Sequence, residues 1–248
     1  MSARAIVVVP CFREERRLRP EGFRALHAAG IATLFVDDGS DDATWSVIQA
    51  MCAGRDLCRG VRLTRNVGKG EAVRSGLNAA LAEDPTIVGY LDADLSTSAH
   101  EMVRVVGALD DPAVDLAIGS RVRLLGTEIS RQPLRHYLGR VFATAASAVL
   151  RLPVYDTQCG AKAFRVSEPL RAATARPFRS RWAFDVELLA RLIDPNDQRA
   201  VEVPLRRWTA VGGGQLAAPS MLHAGMDLTM LALRTRQRQR RSGRARDL

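Results

Sequence analysis

Residues 87–96 read Ile-Val-Gly-Tyr-Leu-Asp-Ala-Asp-Leu-Ser. Ile87 to Leu91 has the length and apolar character of a short buried strand, and two carboxylates, Asp92 and Asp94, follow it at once. In extended backbone, residues two apart point the same way, so both acids can reach one hard cation. Such oxygen ligands suit Mg²⁺ or Mn²⁺, which keep several waters and bridge to a substrate's phosphates. An Asp-x-Asp pair is common by chance, and its weight comes from its neighbours in the chain.

Around it, short β-branched runs alternate with longer helical patterns. Strands are predicted at Ala5 to Val9, Thr33 to Val36, Val61 to Thr64, Ile87 to Leu91 and Val114 to Ile118, with helices from Asp42 to Ala53, Gly70 to Ala82 and Ala99 to Leu109. That alternation marks βαβ units and an α/β chain with a mostly parallel sheet. Ligands of such sheets sit past the carboxyl ends of the strands, where the polar motifs fall. The second half changes character. It offers a helical pattern from Leu134 to Leu152, a strand around Lys162 to Val166, a helix from Phe184 to Ile193, and a flexible joint at Gly212-Gly213-Gly214.

Pro10-Cys11-Phe12-Arg13-Glu14-Glu15 follows the first strand and Asp37-Asp38-Gly39-Ser40-Asp41-Asp42 the second. A carboxylate can accept the ring N–H of uracil or guanine while Gly39 turns the backbone beside the ligand; equally, Ser40 or Asp41 can cap the next helix. Arg65-Asn66-Val67-Gly68-Lys69-Gly70 opens a helix whose free N–H groups, with the Lys69 charge, suit an anion. Past the fifth strand come Arg121, Arg123, Arg131, Arg135 and Arg140, fit for bidentate phosphate contact or for a solvated helix face. The same stretch carries an apolar stripe at helical spacing: Leu134, Tyr137, Leu138, Val141, Phe142, Ala145, Val149 and Leu152. It is either a core face or an interfacial helix on a membrane. Asp156 and Asp185 lie in turn and helix-start contexts, Asp185 as a favourable helix-start charge or as an acceptor contact.

The 248 residues are enough for one large domain. Of the net charge of +9, six units belong to the stretch from Arg234 onward, which has seven Arg and one Asp. The rest is near balance, which argues against a nucleic-acid partner and leaves a solubilising tail or attraction to anionic lipid. Cys11, Cys52, Cys58 and Cys159 lack metal-ligand spacing, and a chain of this size needs no staples, so free thiols and a reducing cytosol are expected. The first apolar run is too short for a signal peptide, and no stretch reaches the roughly 18 apolar residues of a membrane span.

In this order, the segments resemble the family 2 glycosyltransferases, in the polyprenyl-phosphate branch and most closely the dolichyl-phosphate β-glucosyltransferase-like group. The resemblance runs from Ile6 to Leu233 and is sharpest in Asp-Thr-Gln-Cys-Gly-Ala-Lys-Ala-Phe-Arg at 156–165 and Arg-Trp-Ala-Phe-Asp-Val-Glu-Leu-Leu at 181–189. It implies a GT-A fold, with a Rossmann-like central sheet flanked by helices and C-terminal amphipathic helices. It also implies a nucleotide-sugar donor, UDP favoured over GDP, a Mg²⁺ or Mn²⁺ ion, and inversion at the anomeric carbon. By resemblance, Pro10, Glu14, Asp37, Asp38 and Lys69 meet the nucleotide, Asp92 and Asp94 the metal and diphosphate, and Arg121, Arg131 and Arg135 the acceptor phosphate. Asp185 stands where many relatives carry a general base, and with Asp156 and Arg121 it forms the candidate catalytic set.

A phosphate acceptor is largely ionised at neutral pH and needs positioning more than deprotonation. Asp185 would then orient Arg or Lys side chains; with a sugar hydroxyl as acceptor it would be the base. The chain departs from the pattern at Arg13, where relatives carry Asn, and at Gly213-Gly214-Gln215, which lacks an expected basic residue. It also lacks the N-terminal membrane anchor of some relatives. The expected division is one glycosyltransferase domain over 1–218, with a donor half at 1–125 and an acceptor half at 126–218, then an amphipathic helix and Arg-rich tail over 219–248. The expected activity is transfer of a hexose, glucose favoured, to polyprenyl phosphate by a peripheral protein on the cytoplasmic face of a membrane. Transfer to a glycan or small-molecule hydroxyl is the alternative, and a non-catalytic nucleotide-binding module the remote one.

Overall fold

The computed structural model of the chain describes residues 4–130, 143–148, 150, 153–180, 183–193 and 199–210. Strand β1 (Ala5–Cys11) lies between β2 (Ala32–Asp37) and β4 (Ile87–Leu91), and β3 (Cys58–Arg62) pairs with β2 at one edge. Beyond β4 come β7 (Ala161–Arg165), β5 (Leu116–Ser120) and β8 (Ala200–Pro204), giving the order β3-β2-β1-β4-β7-β5-β8. All pairings in this sheet are parallel except those of β7, which runs antiparallel to both β4 and β5. The mostly parallel sheet read from the sequence is thus present, with one reversed strand near its centre. Two short strands, β6 (Glu128–Ser130) and β9 (Arg207–Thr209), form a separate parallel pair.

The sheet is buried on both faces, and period-two alternation divides its side chains between two cores. Ile6 and Val8 of β1 and Leu34 and Val36 of β2 face one side; Val7, Val9 and Phe35 face the other. On the first side lie α3 (Lys69–Leu81), α6 (Glu168–Ala175) and α7 (Phe184–Leu192); on the second lie α1 (Arg24–Ala28), α2 (Thr44–Cys52) and α4 (Ala99–Gly107). Helix α3 can approach closely because Gly76 carries no side chain: a Cβ there would stand 2.4 Å from Val8 Cγ1 and 2.7 Å from Val36 Cγ2. Ser98 caps α4 by accepting the Glu101 N–H at 3.3 Å.

Several expectations need correction. Strand β3 spans Cys58–Arg62 instead of Val61 to Thr64, because this edge strand carries Arg59 and Arg62 and so shows no continuous apolar run. Elements α1, α6, β6, β8 and β9 were not expected; all are short and lie beside polar or proline-containing segments. Neither Ser40 nor Asp41 caps α2; Asp42 accepts the Thr44 N–H at 3.0 Å. Nor does Asp185 cap α7, where Ser180 Oγ accepts the Ala183 N–H at 2.7 Å. Cys52 and Cys58 are joined in a disulfide, so free thiols throughout, and the inference of a reducing compartment drawn from them, do not hold. These two cysteines end α2 and open β3, which brings them together independently of any need for a staple.

Residues 143–148 form the described part of α5. Its buried face is Ala143, Ala146 and Leu150, while Ala145, expected on the apolar stripe, points outward. Alanines on every side of this stretch leave its apolar direction ambiguous in sequence. The other stripe residues, Leu134, Tyr137, Leu138, Val141, Phe142, Val149 and Leu152, and Gly212 to Gly214 lie outside the described residues, as does the whole of 219–248. Among the described residues, no helix is long and apolar enough to cross a membrane.

Candidate active site

The site begins where two strands part. The β1–β4 ladder ends at Val8↔Tyr90, while β1 continues beside β2 to Cys11↔Asp37. Chain order reverses at this point, with β2 and β3 on one side of β1 and β4 on the other, which is where open parallel sheets bind ligands. Pro10, which has no N–H, falls just after the β4 pairing has ended. The opening forms a cleft of about 250 Å³ lined by Pro10, Phe12, Glu14, Asp38, Lys69, Asp92 and Asp94, among others.

The Asp-Ala-Asp pair sits at the floor. Asp92 Oδ1 lies 2.6 Å from Lys69 Nζ, and Asp94 Oδ1 accepts the Ser96 N–H at 2.9 Å. Gly160, at the turn into β7, is pressed against this strand end. Its carbonyl accepts the Asp92 N–H at 2.9 Å, and a Cβ there would stand 2.1 Å from Asp92 Oδ2. Lys69 opens α3 after Gly68, whose φ of 95° favours glycine. Burial would lower the Lys69 pKa, but the charges of Asp92, Asp185 and Asp94 raise it overall, so the ammonium persists.

The other acids of the cleft are committed. Asp38 accepts the Val67 and Gly68 N–H groups at 2.8 and 2.9 Å, shaping the loop that presents Lys69. Glu14 takes two bonds from Arg17, at 2.8 and 2.6 Å. Its pKa is nevertheless raised, chiefly by burial against the pull of Arg17, with Asp94 and Asp42 adding to the rise. Asp37 is fully buried behind the cleft: Oδ1 accepts the Ser40 N–H at 3.0 Å and Oδ2 lies 3.1 Å from Arg62 Nε. Arg13 has φ 55° and grips Asp41 through two bonds of 2.7 Å, tying the rim after β1 to the rim after β2.

Two carboxylates facing an open cleft, with one ammonium between them, fit a hard divalent cation. Among the described residues no three His, Cys, Asp or Glu side chains converge as a closed cage, so such an ion would take its remaining ligands from a diphosphate and water. The charge balance points the same way. A diphosphate entering beside Asp92 and Asp94 meets net repulsion unless a cation accompanies it.

The second-half acids form two further clusters. Arg121 grips Asp156 with Nε–Oδ2 2.6 Å and Nη2–Oδ1 2.7 Å, and its backbone N–H also donates to Oδ2 at 3.0 Å. Glu202 holds the turn by accepting the Tyr155 and Asp156 N–H groups at 2.8 and 2.9 Å, and the Arg121 guanidinium lies 5.3 Å from the Trp208 ring centre. Burial pushes the Asp156 pKa up, but Arg121 more than reverses this and holds it below its ordinary value. Asp185 Oδ1 accepts from Lys162 Nζ at 2.8 Å and from the Tyr90 hydroxyl. Lys162 is fully buried and also donates to the Cys159 carbonyl at 2.7 Å. Burial, then Asp185, drives the Tyr90 pKa well up, so the phenol remains a donor.

The structure therefore gathers Pro10, Glu14, Asp38, Lys69, Asp92 and Asp94 at one cleft and sets Asp37 behind it. Of the expected acceptor arginines, Arg121 is clamped to Asp156, and Arg131 and Arg135 lie outside the described residues. Sequence reasoning overlooked Lys162, Tyr90 and Glu202. The available signal for Lys162 was a lone charge inside the apolar strand Ala-Lys-Ala-Phe, a position that demands a buried partner.

The chain is 32% identical over 255 residues to a mouse protein named dolichyl-phosphate β-glucosyltransferase, covering 92% of this chain and 74% of that one. It is 30% identical over 205 residues to the polyprenol monophosphomannose synthase of Mycolicibacterium smegmatis, covering 82% and 76%. Among solved structures, the mannosyltransferase PcManGT of Pyrobaculum calidifontis, in complex with GDP-Man and Mn²⁺, superposes with a TM-score of 0.54 at 21% identity. That match covers 81% of this chain and 55% of the other, and it supports the fold. The model of glycosyl transferase family 2 matches residues 6–168, and the chain belongs to that family.

Proposed function

We propose that this glycosyltransferase moves a hexose, glucose in preference, from a UDP- or GDP-linked donor to polyprenyl phosphate, with UDP the favoured nucleotide. The observation that carries the acceptor assignment is the state of Asp185. One of its oxygens is already held by Lys162 and the Tyr90 hydroxyl, which casts Asp185 as an organiser of those two donors and not as a group turned to an acceptor hydroxyl. A sugar hydroxyl needs a base, whereas a phosphate monoester is already largely ionised near neutral pH. Its oxygen attacks the anomeric carbon, the bond from that carbon to the diphosphate breaks, and the electron pair leaves with the nucleoside diphosphate. Asp92 and Asp94 would hold Mg²⁺ or Mn²⁺, which neutralises charge on the departing diphosphate. Lys69, at the start of α3, adds a cation on the same side, and the rim formed by Phe12 and Arg13 borders the nucleotide.

A lipid acceptor also accords with an exposed apolar tip. Leu124 and Leu125 are 49% and 105% exposed, on the loop leaving the carboxyl end of β5 beside Arg121 and Arg123. Apolar side chains flanked by basic ones suit shallow contact with an anionic bilayer, so we assign the protein a peripheral position on a membrane surface. The names of the relatives, which carry dolichyl phosphate and polyprenol, point to the same acceptor class.

The test is incubation of the purified chain with radiolabelled UDP-glucose or GDP-mannose, Mn²⁺ and polyprenyl phosphate, followed by partition into organic solvent. Metal-dependent label in the organic phase is expected. Label only in a water-soluble product would overturn the acceptor assignment.

A further inference from the structure

Four charges alternate through the wall of the cleft: Asp92, Lys69, Asp185 and Lys162. Lys69 Nζ is 2.6 Å from Asp92, and Lys162 Nζ is 2.8 Å from Asp185. The two pairs are neighbours. Gly70, next to Lys69, abuts Phe184, next to Asp185, so closely that a Cβ on Gly70 would stand 2.8 Å from Phe184 Cβ. Tyr90, whose hydroxyl reaches Asp185, is two residues before Asp92 on the same strand end. The Lys69 side chain is 46% exposed, whereas Lys162 is 0% exposed and pinned by the Cys159 carbonyl as well.

We propose that Lys162 is a positioning residue for Lys69: by holding Asp185, it prevents that carboxylate from drawing the Lys69 ammonium away from the donor cleft. The physical ground is the cost of an unpaired buried charge. Asp185 is 7% exposed, and Lys162 is its one cationic partner among the described residues. Without Lys162, the cation of the neighbouring pair is Lys69, one residue from the Gly70–Phe184 contact that sets it beside Asp185. Captured there, Lys69 would no longer reach a diphosphate bound beside Asp92. The inference rests on the reading that Lys69 serves the donor phosphates.

The experiment is calorimetric titration of UDP, and separately GDP, into the full chain with Mn²⁺ and no acceptor, so that any part Asp185 plays in transfer does not enter. Lys162→Met is expected to weaken binding of the preferred nucleotide roughly tenfold or more, the scale of a lost hydrogen bond to a charged group. Adding Asp185→Asn in the same chain removes the competing carboxylate and is expected to bring affinity back to within about threefold of the parent. A merely structural role, through the Cys159 carbonyl or through packing, leaves the double variant as weak as the single one and overturns the proposal. Unchanged binding in Lys162→Met overturns it too. If Lys162→Met does not fold, Tyr90→Phe removes only the second donor to Asp185. It should weaken binding about two- to threefold, reversed by Asp185→Asn, and absence of that reversal counts against the proposal. Lys69→Met is the separate control: if it binds nucleotide as well as the parent chain, the donor reading of Lys69 fails, whatever the other variants do.

Discussion

Lys69–Asp92 and Arg121–Asp156 are both ion pairs of 2.6 Å at strand ends on the same edge of the sheet, yet they are built differently. The first is a single contact between a half-exposed ammonium and a carboxylate 27% exposed, on the floor of an open cleft. The second is a fork-to-fork grip, with the acid 7% exposed, a backbone N–H added, and Glu202 holding the turn from behind. A point charge on a flexible stem can exchange its partner for a metal or a phosphate at little cost. A guanidinium fixed at both nitrogens cannot. We read the comparison as setting a contact open to exchange against one that braces a turn, and we propose that Arg121, expected from sequence at the acceptor phosphate, serves as such a brace.

The comparison can be broken most severely at the brace. Arg121→Met removes the guanidinium that grips a buried carboxylate and is expected to cost about 3–5 kcal/mol of stability, read as a lowered urea midpoint. A loss near zero would return Arg121 to the pool of free acceptor ligands. At the exchangeable pair, Asp92→Asn should leave the urea midpoint almost unmoved while transfer falls by roughly 10²–10³, the range for removing one preorganised charge contact. Loss of stability on the same scale as Arg121→Met would erase the distinction.

Acid sharpens it further. Asp156 is held below its ordinary pKa, so its pairing stabilises the fold above the unfolded value of about 4, and that stability is lost as pH falls through the folded pKa. In Arg121→Met the largest attraction holding that pKa down is gone while burial still raises it, so the stabilisation by the pairing is absent at neutral pH. The stability gap between variant and parent should therefore narrow from pH 7 toward pH 3, as followed by thermal melts. A gap constant with pH would mean that Arg121 acts through packing on Trp208 alone. The smallest effect is expected at the apolar tip: Leu125→Asp should lower binding to anionic vesicles by roughly tenfold, the worth of part of a buried leucine, with UDP binding unchanged. Equal vesicle binding by both proteins would remove that tip from the membrane contact.

The donor side was readable in the sequence because its signals are local. Ile87–Leu91 appears as predicted, and Asp92, Asp94, Glu14, Asp38 and Lys69 each follow a strand or open a helix, so the α/β pattern alone brings them together. The clusters of the second half depend on contacts distant in sequence, with Tyr90 meeting Asp185 and Tyr155 meeting Glu202, and no periodicity encodes such a pairing. Tyr90 and Lys162 were hidden for a second reason: within a strand they read as filling of the sheet, and only burial at 0% reveals that their polar ends need partners. Asp37, expected at the nucleotide, is fully buried and held by the Ser40 N–H and Arg62, while Asp38 beside it lines the cleft.

Strand β7 completes the sheet out of turn. Among the described residues it is the only reversed strand of this sheet, it enters between β4 and β5, and its Gly160 carbonyl holds the Asp92 N–H. A ribosome that has released the first 125 residues has released every donor motif, but the edge of β4 is still open and Asp92 still lacks its support. Support for Asp92 is thus expected only once residues up to 165 are present. Anyone splicing this donor half onto a foreign acceptor half would have to carry residues 156–165 along with it.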